Sequence, residues 1–144
     1  MNRKTEVKIL KLIVEVRRMK IAIVDDVAKD LSIEIDYLTT YISKNFPTLS
    51  TDLAPFQDPE KFLENFESNR FDLVILDIIM ESMNGIQLAQ KIREIDRDCS
   101  IIFVTSSEDF LIDGYSVFAS GYLLKPIEPH ILLDKVEEVF KKKG

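Results

Sequence analysis

FDLVILD, residues 71–77, is an apolar run that ends in a carboxylate. Short apolar runs carrying β-branched residues and set between helical segments read as parallel strands buried on both faces. Three further runs follow the same plan. KIAIV (20–24) meets Asp25-Asp26, SIIFV (100–104) meets Thr105, and GYLL (121–124) meets Lys125-Pro126. In an open parallel sheet, functional groups gather just beyond the carboxyl ends of the strands. Three carboxylates, a hydroxyl and an ammonium are therefore expected at one edge. That combination suits magnesium-dependent acceptance of a phosphoryl group.

The segments between these runs read as helices. Leu31, Ile35, Leu38 and Ile42 recur at helical spacing within 28–45, and Pro47 closes the element. LSTDLAPF (49–56) is a weaker strand nearer an edge, because Pro55 cannot donate to a ladder. Asp58-Pro59 has the form of an N-cap followed by proline at the first helical position, with Phe62, Leu63 and Phe66 inward. A third helix follows Gly85, presenting Ile86, Leu88, Ala89, Ile92 and Ile95, and a short fourth lies near 107–118. The last begins at Pro129, with Ile131, Leu132, Val136, Val139 and Phe140 as its buried stripe. The alternation predicts an α/β fold, a (βα)5 doubly wound five-stranded parallel sheet. The flavodoxin-like strand order 2-1-3-4-5 follows by analogy.

Composition narrows the function classes. With 144 residues the chain fits one domain with a sizeable core. A net charge of −6 argues against a surface built to grip nucleic acid. Cys99 and His130 are the sole cysteine and histidine, so neither a disulfide framework nor a zinc site is expected. Cys99 reads as a packing residue near a strand start and His130 as a solvated helix residue. No apolar run approaches the roughly 18 residues of a membrane span, and a cytoplasmic protein is the plain reading.

Charge is unevenly distributed. Residues 1–20 carry a net +5 and the remainder a net −11. Lys4, Lys8, Lys11, Glu15 and Arg18 recur along one side of 3–18, and Val7, Leu10, Ile13 and Val14 along the other. We read 1–18 as a basic amphipathic helical extension and 19–144 as the domain. The extension has three readings: a dimerisation element, a helix lying on an anionic membrane surface, or residues translated upstream of a native start at Met19. The upstream-start reading is favoured over the membrane reading.

Taken together and in order, Asp25-Asp26, DLVILDIIMESMNG (72–85), IIFVTS (101–106) and YLLKP (122–126) resemble the receiver domain of bacterial response regulators, over about residues 19–142. The stretch from IIFVTSSEDF to YLLKPI is most similar to receivers of the LytTR type. The resemblance implies a two-component signalling switch rather than an enzyme, one that only assists its own phosphorylation and dephosphorylation. Asp77 would accept the phosphoryl group from a sensor histidine kinase. Asp26 and Asp77 would ligate Mg²⁺ directly, Asp25 through water, and Ile79 through its backbone carbonyl. Lys125 would meet the phosphoryl oxygens, and a cis Lys125-Pro126 peptide is implied. Thr105 and Tyr122 would form the switch, moving inward on phosphorylation and reshaping the face built from 107–140, a candidate homodimer surface. No direct binding of nucleic acid by this chain is expected.

Taken singly, each feature has a plainer explanation. Asp-Asp after a strand is ordinary turn or cap chemistry, Thr105 an ordinary strand residue, Lys125 a solvated lysine and Tyr122 a half-buried strand aromatic. Asp77 stands apart, since a carboxylate at a buried strand end is costly unless used. Glu81 departs from the family, where many members carry proline. The rival readings are an aspartyl-nucleophile phosphatase and a constitutive interaction module. The phosphatase needs an acid two residues after its nucleophile, and Ile79 occupies that position.

Overall fold

The computed structural model describes residues 2–6, 17–46 and 49–142. Among these the chain alternates strand and helix: β1 (Arg17–Val24), α1 (Ala28–Asn45), β2 (Leu49–Phe56), α2 (Pro59–Glu64), β3 (Leu73–Leu76), α3 (Gly85–Ile95), β4 (Ser100–Thr105), α4 (Leu111–Ser116), β5 (Gly121–Leu124) and α5 (Pro129–Lys142). The described strands form one parallel sheet in the order β2-β1-β3-β4-β5. β2, with its Pro55, lies at an edge as expected.

Alternation along each strand divides the core into two layers. Ile21, Ile23, Leu73, Ile75, Ile102, Val104 and Leu123 face α1 and α5, meeting Leu31, Leu38, Leu132 and Val136. Ala22, Val24, Val74, Leu76, Ile101 and Phe103 face the opposite way, against Phe62, Ile86, Leu88 and Ile92. Phe62 is fully buried and closes a ring cluster with Phe56, Phe66 and Phe71, at centroid separations of 5.3, 5.4 and 6.0 Å. Two residues assigned to buried stripes are exposed: Ile95 at 45% and Ile131 at 42%. Ile95 is the last residue of α3 and Ile131 lies in the first turn of α5, so both sit at helix ends.

Two of the helices, α2 and α3, start at a side-chain cap. Asp58 Oδ1 accepts from Glu60 N at 2.9 Å, with Pro59 opening α2. Asn84 Oδ1 accepts from Ile86 N at 2.7 Å, and Gln87 Oε1 accepts from Asn84 N at 3.3 Å, a complete capping box. At the other end of the chain, β1 begins at Arg17, so residues 17–18 are strand rather than the end of the expected helix. Arg18 Nε lies 3.5 Å from Asp52 Oδ2 on β2. Residues 3–6 are helical, while 7–16, which carry the apolar stripe of the extension, lie outside the described residues.

Gly85 joins fold to site. Its N–H donates to Ile78 O at 2.8 Å, and a Cβ at this position would lie 2.0 Å from Asp77 O and 2.7 Å from Ile78 Cα. The obstacle is backbone, which cannot rotate aside. Gly85→Ala should therefore cost at least the upper part of the ~1–3 kcal/mol typical of overpacking, read as a lowered urea midpoint. An unchanged midpoint would mean that α3 is not held against the turn after β3.

Candidate phosphoacceptor site

Asp25, Asp26 and Asp77 meet because β1 and β3 pair in parallel with Val24 opposite Leu76. The chain leaves β1 toward β2 on one side and returns to β3 on the other, so this is the switch point of the sheet, where a crevice opens. Backbone hydrogen bonds fix the strand ends. Asp25 N donates to Phe56 O at 3.1 Å, Asp77 N to Val24 O at 2.9 Å, and Lys125 N to Thr105 O at 2.8 Å.

Asp25 is fully buried and Asp77 is 4% exposed. One carboxylate oxygen from each of Asp25, Asp26 and Asp77 lies within 4.8 Å of the others. Asp25 Oδ1 accepts from Val27 N at 2.9 Å, Asp77 Oδ1 from Ile78 N at 2.8 Å, and Asp26 Oδ2 from Glu81 N at 3.0 Å. The third of these ties the Glu81 loop to the acidic group through its backbone. Lys125 Nζ donates to Asp25 Oδ2 and Asp30 Oδ2, both at 2.8 Å, and lies 3.4 Å from Asp77 Oδ2. Lys125-Pro126 is cis.

Electrostatics follow from burial. Desolvation raises the pKa of Asp25 and of Asp77, and the Lys125 ammonium offsets this only in part. For Lys125, burial alone would favour the neutral amine, but the hydrogen bonds to Asp25 and Asp30 outweigh it and hold the ammonium charged well above its usual range. One cation thus serves several carboxylates, and the group is short of positive charge. Hard carboxylate oxygens clustered in this way fit Mg²⁺, which takes oxygen ligands and tolerates one or two carboxylates plus water. Ile79 lies in the turn after β3, its side chain 51% exposed.

The switch candidates lie one strand further along. Thr105 is fully buried at the end of β4, and its Oγ1 accepts from Ser107 N at 3.4 Å. Tyr122 lies on β5 with its ring packed against Phe103, and its hydroxyl donates to Ser107 O. Tyr122 is partly buried against the layer that includes Phe103. Cys99 is buried and the His130 side chain is 70% exposed.

Two acidic residues of this region escape a reading by motif. Asp30, in the first turn of α1, is drawn in by Lys125. Glu34, one turn later, is 1% exposed, and its Oε2 has no hydrogen-bond partner among the described residues. Its signal was present: Glu34 falls three residues after Leu31 and four before Leu38, on the apolar stripe. Desolvation, reinforced by the negative charge of Asp25, pushes the Glu34 carboxyl up to about 8 from 4.5.

That shift links stability to pH. The folded protein keeps the Glu34 proton where the unfolded chain would release it, so this contribution is complete below 4.5 and is lost as pH rises toward 8. Glu34→Gln cannot ionise and should escape the loss. In urea unfolding, its stability relative to wild type should rise between about pH 5 and about pH 9. A difference that does not vary with pH would assign the linkage elsewhere.

Comparison with known proteins agrees with this geometry. The response regulator receiver domain pattern matches residues 21–137. The sensory transduction protein LytR of Staphylococcus epidermidis is 35% identical over 123 residues, covering 84% of this chain and 46% of its own length. The chain therefore spans about half of that relative. Among solved structures, the response regulator DrrB of Thermotoga maritima aligns with a TM-score of 0.73 at 26% identity, over 88% of this chain and 54% of that one. A CheY-like receiver domain protein from Methanospirillum hungatei aligns at 0.70 and 26%, over 88% of this chain and 98% of that one. No described helix is long and apolar enough to cross a membrane. With the receiver pattern running from β1 into α5 and the same fold in its structural neighbours, this chain belongs to the response regulator receiver family of two-component systems.

Proposed function

We propose that Asp77 accepts a phosphoryl group from a phosphohistidine of a sensor histidine kinase, in a Mg²⁺-dependent reaction that switches the 107–140 face. The observation that carries this reading is the meeting of Asp25, Asp26 and Asp77 oxygens within 4.8 Å, with the Lys125 ammonium against two of them. The Asp77 carboxylate attacks phosphorus, the bond from phosphorus to the donor nitrogen breaks, and the imidazole leaves with the electron pair. Asp25, Asp26, Asp77 and the Ile79 carbonyl would hold Mg²⁺, which supplies charge neutralisation for the carboxylates and the phosphoryl oxygens. Lys125 meets a phosphoryl oxygen as a compact positive charge. The phosphatase alternative lacks its second acid, because Ile79 is apolar.

The output runs through Thr105. Ser107 contacts both Thr105 and Tyr122, so drawing the Thr105 hydroxyl toward a phosphoryl oxygen would pull on the segment that holds the tyrosine. Beyond it, Ile112, Tyr115 and Phe118 are 82%, 86% and 81% exposed, an apolar group suited to a partner or a second copy. Phosphorylation biases a pre-existing equilibrium by its differential affinity for the two states.

Acetyl phosphate with Mg²⁺ should add one phosphoryl group, seen by intact-mass spectrometry, and Asp77→Asn should abolish it. Persistence of the adduct in that variant would move the acceptor elsewhere. Thr105→Ala should still accept phosphate yet lose the response. With beryllium fluoride on Asp77 standing in for the phosphoryl group, amide exchange over 107–125 should change in the wild type and much less in Thr105→Ala. Identical exchange with and without beryllium fluoride in the wild type would leave an acceptor without a switch.

A further inference from the structure

An ammonium has three N–H donors, and Lys125 faces three carboxylates: Asp25 and Asp30 at 2.8 Å and Asp77 at 3.4 Å. Asp25 and Asp77 belong to the cluster that can share a cation, whereas Asp30 does not. Asp30 comes from α1 and pulls from the side, so the ammonium lies closer to it than to the acceptor. We infer that Asp30 is a positioning residue that competes with the phosphoryl group for Lys125. The inference rests on Asp77 being the acceptor.

The competition follows from where each partner sits. The 3.4 Å contact to Asp77 is the longest of the three, so to meet a phosphoryl oxygen on Asp77 the ammonium must shift toward the acceptor and away from Asp25 or Asp30. Releasing Asp25, whose side chain is 0% exposed, would strand a buried carboxylate without its counter-charge. Asp30 is 33% exposed, and water can solvate it once it is released. Asp30 is therefore the partner that yields. Its hold on Lys125 weakens recognition of the phosphoryl group by the strength of that one contact. Helix α1 thereby tunes a reaction whose recognised residues all lie at strand ends.

The test measures beryllium fluoride binding at fixed Mg²⁺ by ¹⁹F NMR titration of the whole chain. Asp30→Asn and Asp30→Ser should each bind about fivefold more tightly than wild type, the scale of a partly exposed ion pair. Asp30→Glu, which restores the carboxylate, should bring affinity back toward wild type. Glu81→Gln removes a negative charge from the same rim, on the loop bonded to Asp26, without touching Lys125, and should give no comparable gain. A structural defect would weaken binding and lower the thermal midpoint, so a gain in affinity separates positioning from damage. Unchanged or weaker binding in both Asp30 variants, or an equal gain in Glu81→Gln, overturns the inference while leaving Asp77 as acceptor. Absence of a bound signal in the wild type overturns the acceptor reading, and this inference with it.

Discussion

The Lys125 ammonium holds together a group of carboxylates that would otherwise repel one another at the end of the sheet. It lies 2.8 Å from Asp25 and Asp30 and 3.4 Å from Asp77, with its own side chain 16% exposed. Burial strengthens each of these attractions and raises the cost of every charge left without a partner. Asp25 and Asp77 nonetheless have raised pKa values, because desolvation by burial outweighs what the shared ammonium gives back. The site is therefore organised yet short of positive charge. That condition suits a hard divalent cation.

Such a cluster would fly apart on a flexible loop, and the fold prevents this. The strand ends are fixed by backbone bonds to Phe56, Val24 and Thr105. Gly85 lets α3 approach the backbone of Asp77 more closely than any side chain permits. Two full apolar layers lie behind these contacts, so the carboxylates cannot relax without disturbing the core. Ser107 contacts both Thr105 and Tyr122, and the chain beyond it leads into the exposed apolar side chains of α4.

Much of this is legible in the sequence. Strands buried on both faces read as apolar runs, and a polar residue that ends such a run has few places to go but the carboxyl edge. Asp25, Asp26, Asp77, Thr105 and Lys125 were readable on that ground, and Asp58 on the chemistry of helix starts. Periodicity misled only at helix ends. Ile95 and Ile131 continue the apolar pattern of their helices into the end turns, where both are exposed. Residues 17–18 are claimed by strand pairing over the helical pattern of the preceding segment.

Asp30 and Glu34 mark where the sequence runs out. Both lie on α1, 95 and 91 positions before Lys125 by residue number, and nothing in their spacing names a lysine on the last strand. Only the parallel pairing of β1, β3, β4 and β5 brings that lysine beneath the first turn of the helix. Glu34 stood in plain view on an apolar stripe, yet a helical pattern cannot say whether a charged residue there snorkels to water or is sealed in. The packed layers of α1 and α5 against the sheet sealed it, leaving a carboxyl oxygen without a partner among the described residues and its pKa raised. By itself the sequence determined which residues end the strands, because apolar patterning and backbone chemistry are local. Which charges share one ammonium was decided only by the tertiary structure, because Coulomb energy and desolvation depend on distance and burial rather than on order along the chain.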